Sequence, residues 1–354
     1  MKVLMVVPDP MVKGGIAAVV NGYRGSILEK ENQITYIESY RDGSKWQKLG
    51  KACSAYWQFI KVIRKDRPDV VHIHSSFGPS FYRKMPFILW SARKKIPVVN
   101  HIHGAEFDVF YEKASEWKRK LIRKIYNQCS VVIVLSEEWK TRIRQIVPED
   151  KIEIIENYCK MPENIFWEQR NPAQVLFLGE LGKRKGCYDI PVIFERTLKE
   201  VPDARLVMAG DGEMEQLKQA FDERNILQSV TFPGWVRGEE KEKLLQESAV
   251  FLFPSYHEGM PMAVLEAMGY GLGIVTTKVG GIPKLIQDGR NGFCKEAGDV
   301  DALTEALLYL LKNEAGRRNM GSAARKLANE KYGLEGHLQK LQKVYEKAGS
   351  LKRR

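Results

Sequence analysis

Apolar residues fall along this chain in short runs, separated by longer stretches in which they recur at helical spacing. Val3 to Val7, Asp69 to His74, Ile96 to His101 and Val131 to Leu135 are such runs, rich in Val and Ile. Short runs that are apolar on both faces predict buried parallel strands, and the amphipathic stretches between them predict crossover helices, the first opening at Gly15. Pro162 and Pro172 interrupt the periodicity, and the rhythm then restarts with Val175 to Leu178, Arg205 to Ala209, Val230 to Phe232, Val250 to Phe253 and Gly273 to Thr276. Beyond Asp299 the pattern is helical to the end. The reading is α/β: two doubly wound Rossmann-like domains, 1–165 and 166–354, facing each other across a cleft and followed by C-terminal helices, the last free to return to the first domain. At 354 residues the chain also exceeds what one ordinary core accommodates.

Composition narrows the class. Apolar residues make up 44% and charged residues 28%, as in a soluble globular protein. No stretch of membrane-spanning length is free of charge, and the N-terminus reads as a first strand, so the expected location is cytoplasmic. The five cysteines, Cys53, Cys129, Cys159, Cys187 and Cys294, are dispersed without a C-x-x-C pair, which predicts reduced, buried thiols. The net charge of +12 is uneven: residues 1–170 hold 29 basic against 19 acidic side chains. Such a front half predicts an anionic partner, among phospholipid headgroups, a lipid diphosphate or nucleic acid.

In open parallel sheets, ligands bind at the carboxyl ends of the strands. The loops expected there are Lys13-Gly14-Gly15, His101 to Glu106, Ser136-Glu137, Gly179 to Gly186, Gly210-Asp211-Gly212 and Pro233-Gly234-Trp235. At Gly14 and Gly15 a bare backbone meets a helix start, where a phosphate can approach the amides. Lys183, Arg184 and Lys185 sit between Gly182 and Gly186, and fixed cations there would stabilise a departing diphosphate. Glu258 and Glu266 flank a tight turn, Gly259-Met260-Pro261-Met262, that runs from a strand into a helix with Pro261 at its first position. Eight steps of helix advance ~12 Å, so two carboxylates could lie along one elongated ligand, with amides of Met260 to Ala263 between them for phosphate. His103 is placed to hydrogen-bond a sugar hydroxyl, or to offer its carbonyl to positive charge at an anomeric carbon. Asp299 opens the helical stretch DVDALTEALLYLL and reads as its N-cap. No His, Asp or Glu cluster shows convincing metal spacing, so neither metal nor cofactor is expected.

With these residues quoted, the chain resembles the retaining glycosyltransferases of family 4, with the GT-B two-domain fold, over essentially its whole length. Further matches are Ala209-Gly210-Asp211-Gly212, Gly280-Gly281-Ile282-Pro283 and Asp288-Gly289-Arg290-Asn291-Gly292-Phe293. The resemblance implies that Glu258 contacts the donor hexose, Glu266 the ribose hydroxyls and Lys185 the diphosphate, with help from amides at Gly15 and around Met260, Pro261 and Met262. Gly234, Trp235 and Val236 would frame the base. The family has arginine where this chain has Glu180, and Arg184 is the candidate substitute. The implied reaction is hexose transfer with retention, without an obligatory metal, from a nucleotide-diphosphate sugar, a UDP-sugar by preference, to a glycan or lipid-linked acceptor in cell-surface polysaccharide synthesis.

Other readings stay open. A sugar-nucleotide epimerase shares this architecture, whereas a dehydrogenase is disfavoured because no G-x-G-x-x-G opens a helix after the first strand. From another class, a membrane-surface or nucleic-acid binding protein is suggested by aromatic residues interleaved with cations at 45–65 and in Trp117-Lys118-Arg119-Lys120-Leu121-Ile122-Arg123-Lys124. Nucleic acid is the weakest partner, since the glycine loops and paired glutamates would have no task. An anionic membrane surface suits the same side chains better.

Overall fold

The computed structural model describes residues 1–104 and 107–351, so Ala105 and Glu106 of the fourth-strand loop lie outside the described residues, as do the last three of the C-terminal stretch. The chain divides into two compact units. The first comprises Met1–Asn157 together with the last helix, Leu334–Leu351, and the second is Tyr158–Gly333.

The sheet of the first unit contains β1 (Lys2–Val7), β2 (Gln33–Glu38), β3 (Val70–Ser75), β4 (Val98–Ile102), β5 (Val131–Val134) and β6 (Ile152–Ile154). They are parallel throughout, in the order β2-β1-β3-β4-β5-β6. The central strands are buried along their whole length, which is why they read as continuous apolar runs. One face packs on a cluster that includes Phe59, Phe81, Phe87, Ile122 and Trp139.

The second unit holds β7 (Asn171–Leu178), β8 (Arg205–Ala209), β9 (Val230–Gly234), β10 (Ser248–Phe253), β11 (Gly273–Thr277) and β12 (Phe293–Lys295). Its order is β12-β11-β10-β7-β8-β9, again all parallel. Helices Val300–Lys312 and Glu314–Tyr332 close this unit, and Asp299 caps the first by accepting from the Ala302 amide at 3.0 Å.

Several expectations need correction. Residues 158–165 group with the second unit rather than the first. Within it the Cys159 amide bonds the Tyr332 carbonyl at 2.8 Å, and Arg325 donates to the Pro162 carbonyl at 2.9 Å. Strands β2, β6 and β12 did not stand out in the sequence, being short or only partly buried. Of the five cysteines, Cys53 is exposed. Pro261 is the N-cap of helix Met262–Gly269, not its first residue. Glu258 therefore lies in the loop ahead of the helix, and the eight-step helical spacing to Glu266 does not apply.

Candidate active site

In the second unit, β7 ends in the loop Gly179–Gly186, whose last turn is a short 3-10 helix, Lys183–Lys185. Gly186 ends that turn at φ 68°, and a β-carbon there would lie 1.9 Å from the Pro254 carbonyl oxygen. Only glycine fits, so the loop is pressed against the segment following β10. The Tyr256 amide donates to the Arg184 carbonyl at 2.9 Å and closes the junction. From the other side, a β-carbon on Gly280 would meet the Glu258 carbonyl oxygen at 1.9 Å, so the Gly280-Gly281 turn supports the Glu258 backbone closely.

This packing brings Lys185 and Glu258 together. Lys185 Nζ lies 2.5 Å from Glu258 Oε1, and the Ser255 hydroxyl donates to the same oxygen at 2.6 Å. Both charged side chains are largely buried, and Lys185 also lies 4.8 Å from the centroid of the Phe253 ring. Burial holds the Lys185 ammonium below its ordinary pKa, while Glu258 pulls the other way. Arg184 reaches Glu258 Oε1 at 3.9 Å, donates to the His257 carbonyl at 3.3 Å and pairs with Glu180 at 2.9 Å. Glu180, the family departure, is thus the group that holds Arg184.

Glu266 belongs to a different ion pair. It sits inside the Met262–Gly269 helix and takes Lys241 Nζ at 2.6 Å, from helix Glu239–Glu247. The first-turn amides of Met262 and Ala263 have no carbonyl one turn earlier within the helix, which makes them anion donors. Gly234 closes β9 at φ 82°, with Trp235 partly and Val236 fully buried after it. A separate cavity of about 470 Å³, lined by residues including Trp167 and Arg325, shares no residue with these groups.

In the first unit, Gly14 and Gly15 line a cavity of about 230 Å³ with Lys13, Tyr40, His74, Ser76, Ser80, Arg83 and Lys84. Buried Lys84 donates to Ser39 Oγ at 2.6 Å, and burial, then Arg83, holds its pKa well below the ordinary value. His103 is partly buried and shares a 2.9 Å hydrogen bond, through Nε2, with His74 Nδ1. Burial, then His337, pushes His103 down to about 3, so its ring is neutral near pH 7.

Sequence reasoning did not find Ser255 or Lys241, and it missed a gathering of histidines. The tripeptides His72-Ile73-His74 and His101-Ile102-His103 lie on the neighbouring strands β3 and β4, with His74 opposite His101. Alternation along a strand sends all four rings to one face. The signal is present as two H-I-H repeats at strand ends, of which the sequence singles out His103 alone.

Residues 163–327 match the family model described as glycosyl transferases group 1, and residues 18–158 match the one described as Glycosyltransferase Family 4. The chain is a family 4 glycosyltransferase of the GT-B class. It is 26% identical, over 81% of its length and 77% of the relative's, to the N-acetyl-alpha-D-glucosaminyl L-malate synthase of Bacillus anthracis. It is 27% identical to the UDP-Gal:alpha-D-GlcNAc-diphosphoundecaprenol alpha-1,3-galactosyltransferase of Escherichia coli, over 70% of this chain and 67% of that one. Among solved structures it resembles Anabaena HepE in complex with UDP-glucose, with TM-score 0.76 at 17% identity, covering 98% of this glycosyltransferase and 99% of HepE.

Proposed function

We propose that this glycosyltransferase is retaining and metal-independent, and that it moves a hexose from a UDP-sugar to a glycan or lipid-linked acceptor in cell-surface polysaccharide synthesis. The observation that carries the reading is the buried Lys185–Glu258 pair with Arg184 beside it at the carboxyl end of β10. A carboxylate suits sugar hydroxyls and two cations suit a diphosphate, so one small site offers both halves of the donor. Lys185 and Arg184 hold the diphosphate, joined by the amides of Met262 and Ala263 at the helix start that follows Gly259, Met260 and Pro261. Glu258 takes hexose hydroxyls, Glu266 takes the ribose, and Gly234, Trp235 and Val236 frame the base. The first unit has groups of its own for the same chemistry: amides at Gly14 and Gly15 suit a phosphate, and neutral His103 suits a sugar hydroxyl. The Escherichia coli relative uses UDP-Gal and a diphosphoundecaprenol-linked acceptor, and HepE binds UDP-glucose, which supports a UDP-hexose donor and a lipid-linked acceptor here.

In the reaction, the anomeric C–O bond to the diphosphate breaks and the acceptor oxygen bonds the same face of the ring. The acceptor proton passes to the departing phosphate oxygen, and the diphosphate leaves carrying it. Fixed cations counter the charge that grows on that oxygen, so their contribution is larger in the transition state than in the bound donor. Glu258→Gln and Lys185→Ala are each expected to lower turnover at least about a hundredfold, or ~2.7 kcal/mol of barrier. Transfer from a radiolabelled UDP-hexose at the wild-type rate in either variant would overturn the assignment.

The acceptor side has its own support. Trp46 and Trp57 on helix Lys45–Lys65 are 82% and 66% exposed, and Trp117 beside the Lys118–Lys124 cations is 74% exposed. Exposed tryptophan next to lysine suits the headgroup layer of an anionic membrane, where a lipid-linked acceptor would reside. Among the described residues no helix is long and apolar enough to cross a membrane.

A further inference from the structure

We infer that His72, His74 and His101 form a binding site for a zinc-class transition-metal ion in the first unit, made of residues other than the Lys185–Glu258 pair on which the proposed function rests. One ring nitrogen from each can be chosen so that the three lie within 4.8 Å of one another. All three residues are at most 1% exposed. Their unused ring atoms are the unusual feature: His72 Nε2, His74 Nε2 and both nitrogens of His101 are buried without a hydrogen-bond partner. Buried polar atoms are nearly always satisfied, and here three neighbouring residues each carry an orphan. The rings lie close and tilted against one another, His72 to His74 at 4.3 Å and His74 to His101 at 5.1 Å between centroids.

In His72 and His74 the remaining ring atom is placed as a metal-bound imidazole requires, whereas His101 has no such partner. A ligating histidine ordinarily bonds its second nitrogen to a fixed partner, which sets tautomer and orientation. His72 Nδ1 meets the Tyr345 hydroxyl at 2.7 Å, and His74 Nδ1 meets His103 Nε2 at 2.9 Å. Metal on His74 Nε2 would leave its Nδ1–H donating to His103, and so fix the tautomer of that ring too. Zinc–nitrogen bonds of ~2.0–2.1 Å put tetrahedral ligand atoms ~3.4 Å apart, so the rings need to close by on the order of 1 Å. Three imidazoles with no carboxylate favour zinc, copper or nickel over magnesium or calcium. Lys84 is the charged group noted near His74, and its Nζ is engaged by Ser39 and the Val6 carbonyl. His74 also lines the 230 Å³ cavity, which supplies an entry path.

The test uses untagged full-length protein, stripped with chelator, given ZnCl2 and desalted before metal analysis. One zinc retained per chain is expected, with a zinc-edge X-ray absorption spectrum showing imidazole nitrogen and no sulfur. His101→Gln and His74→Gln should each weaken zinc binding at least tenfold, whereas His257→Gln, at an exposed histidine of the second unit, should leave it unchanged. Folded wild-type protein that retains no zinc, a sulfur-containing spectrum, or undiminished binding in a folded His101→Gln variant overturns the site. Should a variant not fold, the wild-type spectrum and stoichiometry decide alone. Transfer activity is not read, so the outcome stands whatever becomes of the donor assignment.

Discussion

Glu258 gathers a lysine and a serine hydroxyl about one carboxylate, where little water remains to replace either, with the more exposed Arg184 at the edge. Removing one member of a buried pair strands the other charge, which costs ~3–5 kcal/mol. Glu258→Ala and Lys185→Ala should therefore each lower the urea midpoint substantially, and the double variant should lose less than the sum. Two additive losses, or none, would show that the pair is not coupled in solution. The residues of this site were legible as candidates: a triplet of cations between glycines, and a glutamate at a tight turn. The pairing was not, because Lys185 and Glu258 are 73 positions apart and meet only through the close approach of Gly186 to Pro254. The histidine face was hidden for a similar reason. Which strand neighbours which is a property of the sheet order, and two H-I-H tripeptides become one cluster only when β3 lies beside β4.

At the level of elements, the buried strands were readable because parallel strands covered on both sides leave an unbroken apolar run. Edge strands such as β2, whose residues alternate between exposed and partly buried, leave no such run. Asp299 was readable as a cap from its position alone, and Asp299→Ala should cost ~1 kcal/mol in thermal unfolding without changing the rate of donor turnover. A loss of turnover at unchanged stability would give Asp299 a different role. The cationic helix Glu116–Tyr126 is more divided than its sequence suggests. Arg119 donates to the Tyr111 carbonyl at 3.2 Å and Arg123 to the Tyr111 hydroxyl at 2.6 Å, so these two hold the preceding turn. Membrane attraction then falls to exposed Lys120 and Lys124, with Trp117, Trp46 and Trp57. Each cation near an anionic leaflet contributes about 1 kcal/mol, over a Debye length of ~8 Å at physiological salt. Replacing Lys120 and Lys124 with glutamine and the three tryptophans with serine should release the protein from anionic liposomes in co-sedimentation. Wild-type protein that stays in the supernatant at low salt would point to a soluble acceptor.

For the whole molecule, two parallel six-stranded sheets and a charge concentrated in the first 170 residues suggest a division of labour. On this reading the second unit carries the donor and the first meets an anionic acceptor surface. The returning C-terminal helix adds Tyr345 and His337 to the histidine face of the first unit, a long-range consequence that no local pattern announced. The central claim is metal-independent, retaining transfer from a UDP-hexose through the Lys185–Glu258 site. It is most directly tested by following, by proton NMR in excess EDTA, the sugar released when water replaces the acceptor. The expected result is the α-anomer of the unaltered hexose, appearing before mutarotation and suppressed about a hundredfold by Glu258→Gln. Release of the β-anomer, of an epimerised sugar, or of sugar only after manganese is restored would contradict it.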